Sequence, residues 1–173
     1  SDLKLQNVKY LRYDKDQNIG DYYKKMADAS LYVKTSYIMT SDNDDFLNYK
    51  GVFECINFLE NHRDYAFASG RTLCVNQKGT NNVNNKYKLD FTSYDGSNLD
   101  NLEGIEGIRK YLDSTVDKTH YVWYSIYRSE IFKNVWDSMY NCNIRDGQIN
   151  ELLNTCISFY HGKYKFINYC NHY

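Results

Sequence analysis

The chain has 173 residues, 42% of them hydrophobic, with 21 Lys and Arg against 22 Asp and Glu for a formal charge of −1. That length suits one domain with a real core, so residues 1–173 read as a single unit, and the balanced charge gives no footprint for wrapping nucleic acid. No stretch approaches the ~20 apolar residues of a membrane-spanning helix, and no secretory segment opens the chain, so a cytoplasmic protein is expected. The five cysteines, Cys55, Cys74, Cys142, Cys156 and Cys170, are odd in number and never spaced Cys-x-x-Cys, which suggests reduced core thiols rather than a disulfide framework or zinc knuckle. The absence of proline and the 19 tyrosines read as codon bias and carry no functional weight.

In chain order, Val8 to Tyr13 alternates as a strand and "DKDQNIG" ends it. Tyr22, Met26 and Ala29 recur at helical spacing between Asp21 and Leu31, and Tyr37 to Thr40 forms a short apolar strand. The three make a β-α-β unit, whose right-handed crossover would set its strands parallel and bring the end of Tyr37–Thr40 to the edge where open α/β sheets bind ligands. Val52, Cys55, Ile56 and Leu59 then predict a helix, and Tyr65 to Val75 a strand. The polar run from Asn76 to Lys86 leads to a return strand at Tyr87–Phe91. Leu102, Ile105, Ile108, Leu112 and Val116 mark a further helix, and His120 to Tyr127 reads as a buried aromatic strand. Ser129 is placed to cap a helix through Met139. In the last helix Ile149, Leu152, Leu153, Cys156, Ile157 and Tyr160 share one face, with Asp146 at its N-cap and Gly162 past its end, before a strand at Lys163–Ile167.

The carboxylates Asp42, Asp44 and Asp45 fall just beyond the second strand of that β-α-β unit. Three acids in four residues repel one another unless solvent or a cation intervenes. At a ligand-binding edge they suit a hard divalent cation, which takes oxygen ligands and binds through one or two acids plus phosphate oxygens. A solvated turn is the competing explanation, since Asp and Asn bend chains and cap helices.

The run "YIMTSDNDDFLNYKGVFECINFLENHRDYAFASGR", Tyr37 to Arg71, resembles the central segment of family-2 glycosyltransferases with the GT-A fold. It is similar in particular to a bacterial subgroup, of surface-polysaccharide type, with an acidic run followed by Phe-Leu and an "FLE-N-DY" helix exit. Val8–Tyr13 and "YSIYRSEIF", Tyr124 to Phe132, fit the same subgroup, so the resemblance covers most of the chain. It implies a GT-A-like, Rossmann-type, mostly parallel sheet flanked by helices. It further implies a metal-dependent inverting glycosyltransferase that moves a sugar from a nucleotide-sugar donor to a glycan or other hydroxyl acceptor. Mn²⁺ or Mg²⁺ would be the cofactor. Family members open with a further strand-helix segment that helps hold the nucleobase, so the resemblance also implies an N-terminally incomplete fold.

Residue by residue, the resemblance assigns Asp42 to the ribose or nucleobase side of the donor and Asp44 to the metal and diphosphate, with Asp45 assisting at the metal. Asp45 is equally explained as an acid facing a helix dipole. The general base of the family, the Asp of a Glu-Asp pair opening a late helix, falls on Asp146 in "NIRDGQINELLN", where Arg145 replaces the usual Glu. Simple N-capping explains Asp146 equally well. Glu151, roughly opposite the apolar face at about 100° per residue, is expected in solvent. Tyr121, Trp123, Tyr124 and Tyr127 read as core, and Arg71 and Arg128 as surface ion-pair residues. A non-catalytic α/β module binding a nucleotide or cation is the alternative function. A metal-dependent nuclease or phosphatase ranks last, for want of a supporting His or Lys cluster.

Overall fold

The computed structural model describes residues 8–43, 45–78, 88–94, 96–114 and 120–172. Their architecture is mixed α/β. Helix α1, Ile19–Leu31, opens on a capping box in which Asn18 accepts from the Gly20 N–H and Asp21 reaches back to the Asn18 N–H. Strand β1, Tyr37–Ile38, follows, then α2, Tyr49–Asn61, and a hairpin of β2, Tyr65–Lys78, and β3, Lys88–Tyr94. A 3₁₀ turn at Ser97–Leu99 leads to α3, Gly104–Asp113, the short α4, His120–Trp123, and β4, Ile126–Arg128. Helices α5, Ser129–Cys142, and α6, Gly147–Tyr160, precede β5, Lys163–His172.

The sheet runs β1-β4-β2-β3, with β5 also paired to β2. Of these pairings only β2 with β5 is parallel, so the mostly parallel sheet expected from the sequence is instead mixed. The cause is β4, which inserts antiparallel between β1 and β2; β1, β2 and β5 still point the same way. Ile38, Tyr127, Phe67 and Tyr164 stand level across the sheet. Alternation along the strands divides the core. Ala68 and Ile126 face α2, packing with Cys55 and Leu59, whereas Phe67, Tyr127 and Tyr164 face the layer that contains Tyr23, Tyr111, Trp136 and Phe159. Gly107 lets α3 close on α6, because a Cβ there would collide with the Phe159 ring.

Several expectations are corrected. Val8–Tyr13 is not a strand: Val8 and Tyr10 are 66% and 84% exposed, and the segment lies along α1, with Lys9 over the Tyr32 ring and Tyr13 donating to Asp28 at 2.6 Å. Alternation without a pairing strand does not make a ladder, so the expected β-α-β unit of Val8–Tyr13, α1 and β1 does not form. Strand β1 stops at Ile38 rather than Thr40, since its partner β4 is itself short. The expected strand at His120–Tyr127 begins instead as the helical turn α4, where the Ser125 N–H closes on the Val122 carbonyl and Val122 is fully buried; packing overrides the β-propensity of the run. Ser129 is buried as the first residue of α5, and its hydroxyl caps nothing. Val116 and Tyr87 lie outside the described residues.

The largest correction concerns α6. Ile149 and Tyr160, on the expected core face, are 50% and 78% exposed, whereas Asn150, Asn154, Thr155, Ser158 and Phe159 are buried. Polar residues can take that face because the helix satisfies them: Ser158 Oγ donates to the Asn154 carbonyl at 2.7 Å, and Thr155 Oγ1 to that of Glu151 at 3.4 Å. Small hydroxyl side chains also let α6 approach the sheet closely. At about 100° per residue, Glu151 falls near the middle of this buried face.

Candidate functional site

Asp42 lies four residues beyond Ile38, past the forward end of β1. Its carboxylate Oδ2 accepts a 2.6 Å hydrogen bond from the hydroxyl of Tyr124, 82 residues away in the chain. The Asp45 N–H closes on the Asp42 carbonyl at 3.4 Å, and Thr40 Oγ1 donates to the Trp123 carbonyl at 3.4 Å. The acid loop is thereby tied to the α4–β4 connection at two points. Asp44 lies outside the described residues. Asp45 stands three residues before Asn48, the side-chain N-cap of α2, and the first turn of α2 holds no acid. A helix-dipole role therefore does not account for Asp45.

Helix α6 leads into β5 through a tight turn at His161 and Gly162, so it runs back over the sheet against β5. Its N-terminus thus lies toward the same end of the sheet as Asp42. Asp146 is the N-cap, accepting from the Ile149 N–H at 3.0 Å through Oδ1 and leaving Oδ2 to the exposed side. Buried Asn150 steadies it from below, donating to the carbonyls of Ile144 and Asp146 at 2.8 Å each. Arg145, in the place of the family's Glu, is exposed.

Tyr22 and Tyr23 of α1 pack edge-on to each other, and both rings pack against Trp136, which also meets Trp123. Burial raises the Tyr22 hydroxyl above its ordinary pKa, and the charges of Asp42, Asp16 and Glu151 raise it further. Tyr23 is pushed up to about 12 by burial, the neighbouring Tyr22, Glu151 and Asp146, against an opposing hydrogen bond from Asn150. Tyr124 is raised by burial first, then by its bond to Asp42 and the charges of Asp42 and Asp45. The charges of Asp42, Asp16 and Glu151, from three separate elements, thus all reach the Tyr22 hydroxyl. Glu151 belongs to this group, half-buried rather than in solvent, because α6 is turned relative to its apolar stripe.

Other sequence candidates resolve into structure. Trp123 and Tyr127 are core, as expected, but Tyr124 is not: it reaches the acid loop. Its sequence carries no sign of this, since only the fold joins positions 42 and 124. Arg128 is no surface ion-pair residue; its guanidinium donates to the carbonyls of Leu59, His62 and Tyr65 at 2.6, 3.0 and 2.9 Å, closing the end of α2 onto β2. Arg71 donates to Asn168 across the β2–β5 pair at 3.2 Å. A cleft of about 630 Å³ lies between α1 and the segment before it, walled by Asp14, Asp16, Asp21 and Asp28 as well as Lys15, Lys24 and Lys25, and none of the site acids lines it.

Among the described residues no group of three or more His, Cys, Asp or Glu side chains is placed to hold a metal ion. The described acids of the loop, Asp42 and Asp45, carry carboxylate oxygens, the donor type that a hard cation takes. No described helix is long and apolar enough to cross a membrane. The chain matches no protein-family model and no curated protein.

Proposed function

We propose that this chain is a GT-A-like glycosyltransferase domain, metal-dependent and inverting, which transfers a sugar from a nucleotide-sugar donor to a hydroxyl of a glycan or related acceptor. The observation that carries the reading is that Asp42, past the forward end of β1, and Asp146, the N-cap of α6, lie toward one end of the sheet, with the charges of Asp42 and Glu151 both reaching the Tyr22 hydroxyl. An inverting transfer needs an acid-binding side for the donor and a separate carboxylate to take the acceptor proton. The arrangement has both, on different elements. Asp42 would accept hydrogen bonds from the donor ribose or nucleobase. Asp44 and Asp45 would hold Mn²⁺ or Mg²⁺, which supplies charge neutralisation to the diphosphate when bound. Asp146 Oδ2 would take the proton of the acceptor hydroxyl as its oxygen attacks the anomeric carbon and the nucleoside diphosphate departs.

Calorimetry with UDP-, GDP- and CMP-sugars, with and without Mn²⁺, tests this reading. Binding of one of them that needs Mn²⁺ and is lost in a folded Asp44→Asn variant is the expected result. No binding of any of them, or Mn²⁺-dependent binding unchanged in Asp44→Asn, would overturn the metal-site assignment and favour a non-catalytic module.

A further inference from the structure

Asp42 is an exposed side chain on a loop, and such a carboxylate ordinarily samples several rotamers. Tyr124 is not free in the same way. It sits between the packed Trp123, 5.5 Å from the Trp136 ring, and Ser125, which is fully buried, and its own ring is half-buried. The backbone that carries Tyr124 is therefore fixed by the core, and its hydroxyl meets Asp42 Oδ2 at 2.6 Å. The second tether, from Thr40 to the Trp123 carbonyl, holds the loop stem against the same turn. An O–H donor to an ionised carboxylate is a strong, short hydrogen bond.

We infer that Tyr124 is a positioning residue for donor binding: it locks one oxygen of Asp42 so that Oδ1, and a remaining lone pair of Oδ2, are presented to a hydroxyl of the incoming nucleoside. The inference rests on the glycosyltransferase reading of Asp42 and adds to it a residue that the resemblance does not supply. Tyr124 acts through Asp42 and needs no contact with the sugar. Its contribution is preorganisation: the ordering of Asp42 is completed in the fold before the ligand arrives.

The test has two arms, run on the whole chain. In the first, ¹³Cζ-tyrosine NMR at neutral pH compares Tyr124 in the wild type and in Asp42→Asn. Replacing the carboxylate acceptor by a neutral amide weakens the hydrogen bond and should move the Tyr124 ¹³Cζ resonance. In the second, Tyr124→Phe, which keeps the ring and its packing, is titrated with UDP, GDP and CMP in the presence of Mn²⁺. Affinity for whichever nucleotide the wild type binds should fall about tenfold or more, with the melting temperature and the Mn²⁺ requirement retained. A Tyr124 ¹³Cζ resonance indifferent to Asp42→Asn, or undiminished binding in Tyr124→Phe, overturns the inference alone. A wild-type protein that binds none of the three nucleotides overturns the inference together with the reading beneath it.

Discussion

Asn150 Nδ2 donates to the main-chain carbonyl of Asp146 at 2.8 Å and to that of Ile144 at the same distance, so one fully buried amide holds the turn that carries the candidate base. The bond links the interior packing of α6 to the position of a functional carboxylate. Removing the amide leaves two carbonyls without a donor at the helix entrance. Asn150→Ala should therefore cost about 1–3 kcal/mol of stability. Urea unfolding would read this as a lower midpoint at unchanged slope. An unchanged midpoint would mean that water replaces the amide without loss.

Arg128 makes a prediction that separates structure from ligand binding. Its guanidinium serves the carbonyls of three residues around the end of α2 and the start of β2. An ammonium cannot reproduce that planar fork. Arg128→Lys should lower stability by about 1–3 kcal/mol, measured by denaturant unfolding, while the folded variant keeps its nucleotide affinity. A selective loss of nucleotide affinity with full stability would instead give Arg128 a phosphate-binding role.

Alkaline pH should unfold the protein by a route set by its buried tyrosines. Tyr23 is held neutral up to about 12 by burial and by the acids near it, against an ordinary value of 10.0. Tyr22, Tyr111, Tyr127 and Tyr164 are raised as well, each chiefly by burial. The folded state thus retains protons that the unfolded chain gives up. Their contribution is fully present below about pH 10 and is lost as pH rises from there through the folded values. Stability measured against pH should be level on this account up to about 10 and fall steadily above it. Tyr127→Phe, in a variant that remains folded, should make that alkaline decline shallower; an identical slope would contradict the account.

The sequence was most legible where helical periodicity and capping agree. Helix α2, the β2–β3 hairpin and the Asp146 cap follow the expected pattern, because each rests on local chemistry: spaced apolar residues, a polar turn, a carboxylate before a helix. Val8–Tyr13 misleads because alternation says nothing about whether a neighbouring strand exists to pair with. His120–Trp123 misleads because its aromatic and β-branched residues fit a buried helical turn as well as a strand. For α6, Leu152, Cys156 and Ile157 of the expected stripe do pack against the core, yet Ile149 and Tyr160 are exposed and Asn150, Asn154, Thr155 and Ser158 are buried on the other side, the side on which Glu151 lies. The Asp42–Tyr124 bond was invisible from the chain, since it depends on β4 lying beside β1.

Release of nucleotide from a sugar donor in the presence of Mn²⁺, compared among wild type, Asp146→Asn and Glu151→Gln, tests the central claim most directly. Asn still caps a helix well but cannot accept a proton as a carboxylate does. The account predicts Mn²⁺-dependent release by the wild type, a loss of about 10²–10⁴-fold in Asp146→Asn with donor affinity and melting temperature retained, and a smaller loss in Glu151→Gln. Near wild-type release by Asp146→Asn would contradict it, leaving Asp146 as a cap alone; if Glu151→Gln then abolished release, the base would be Glu151.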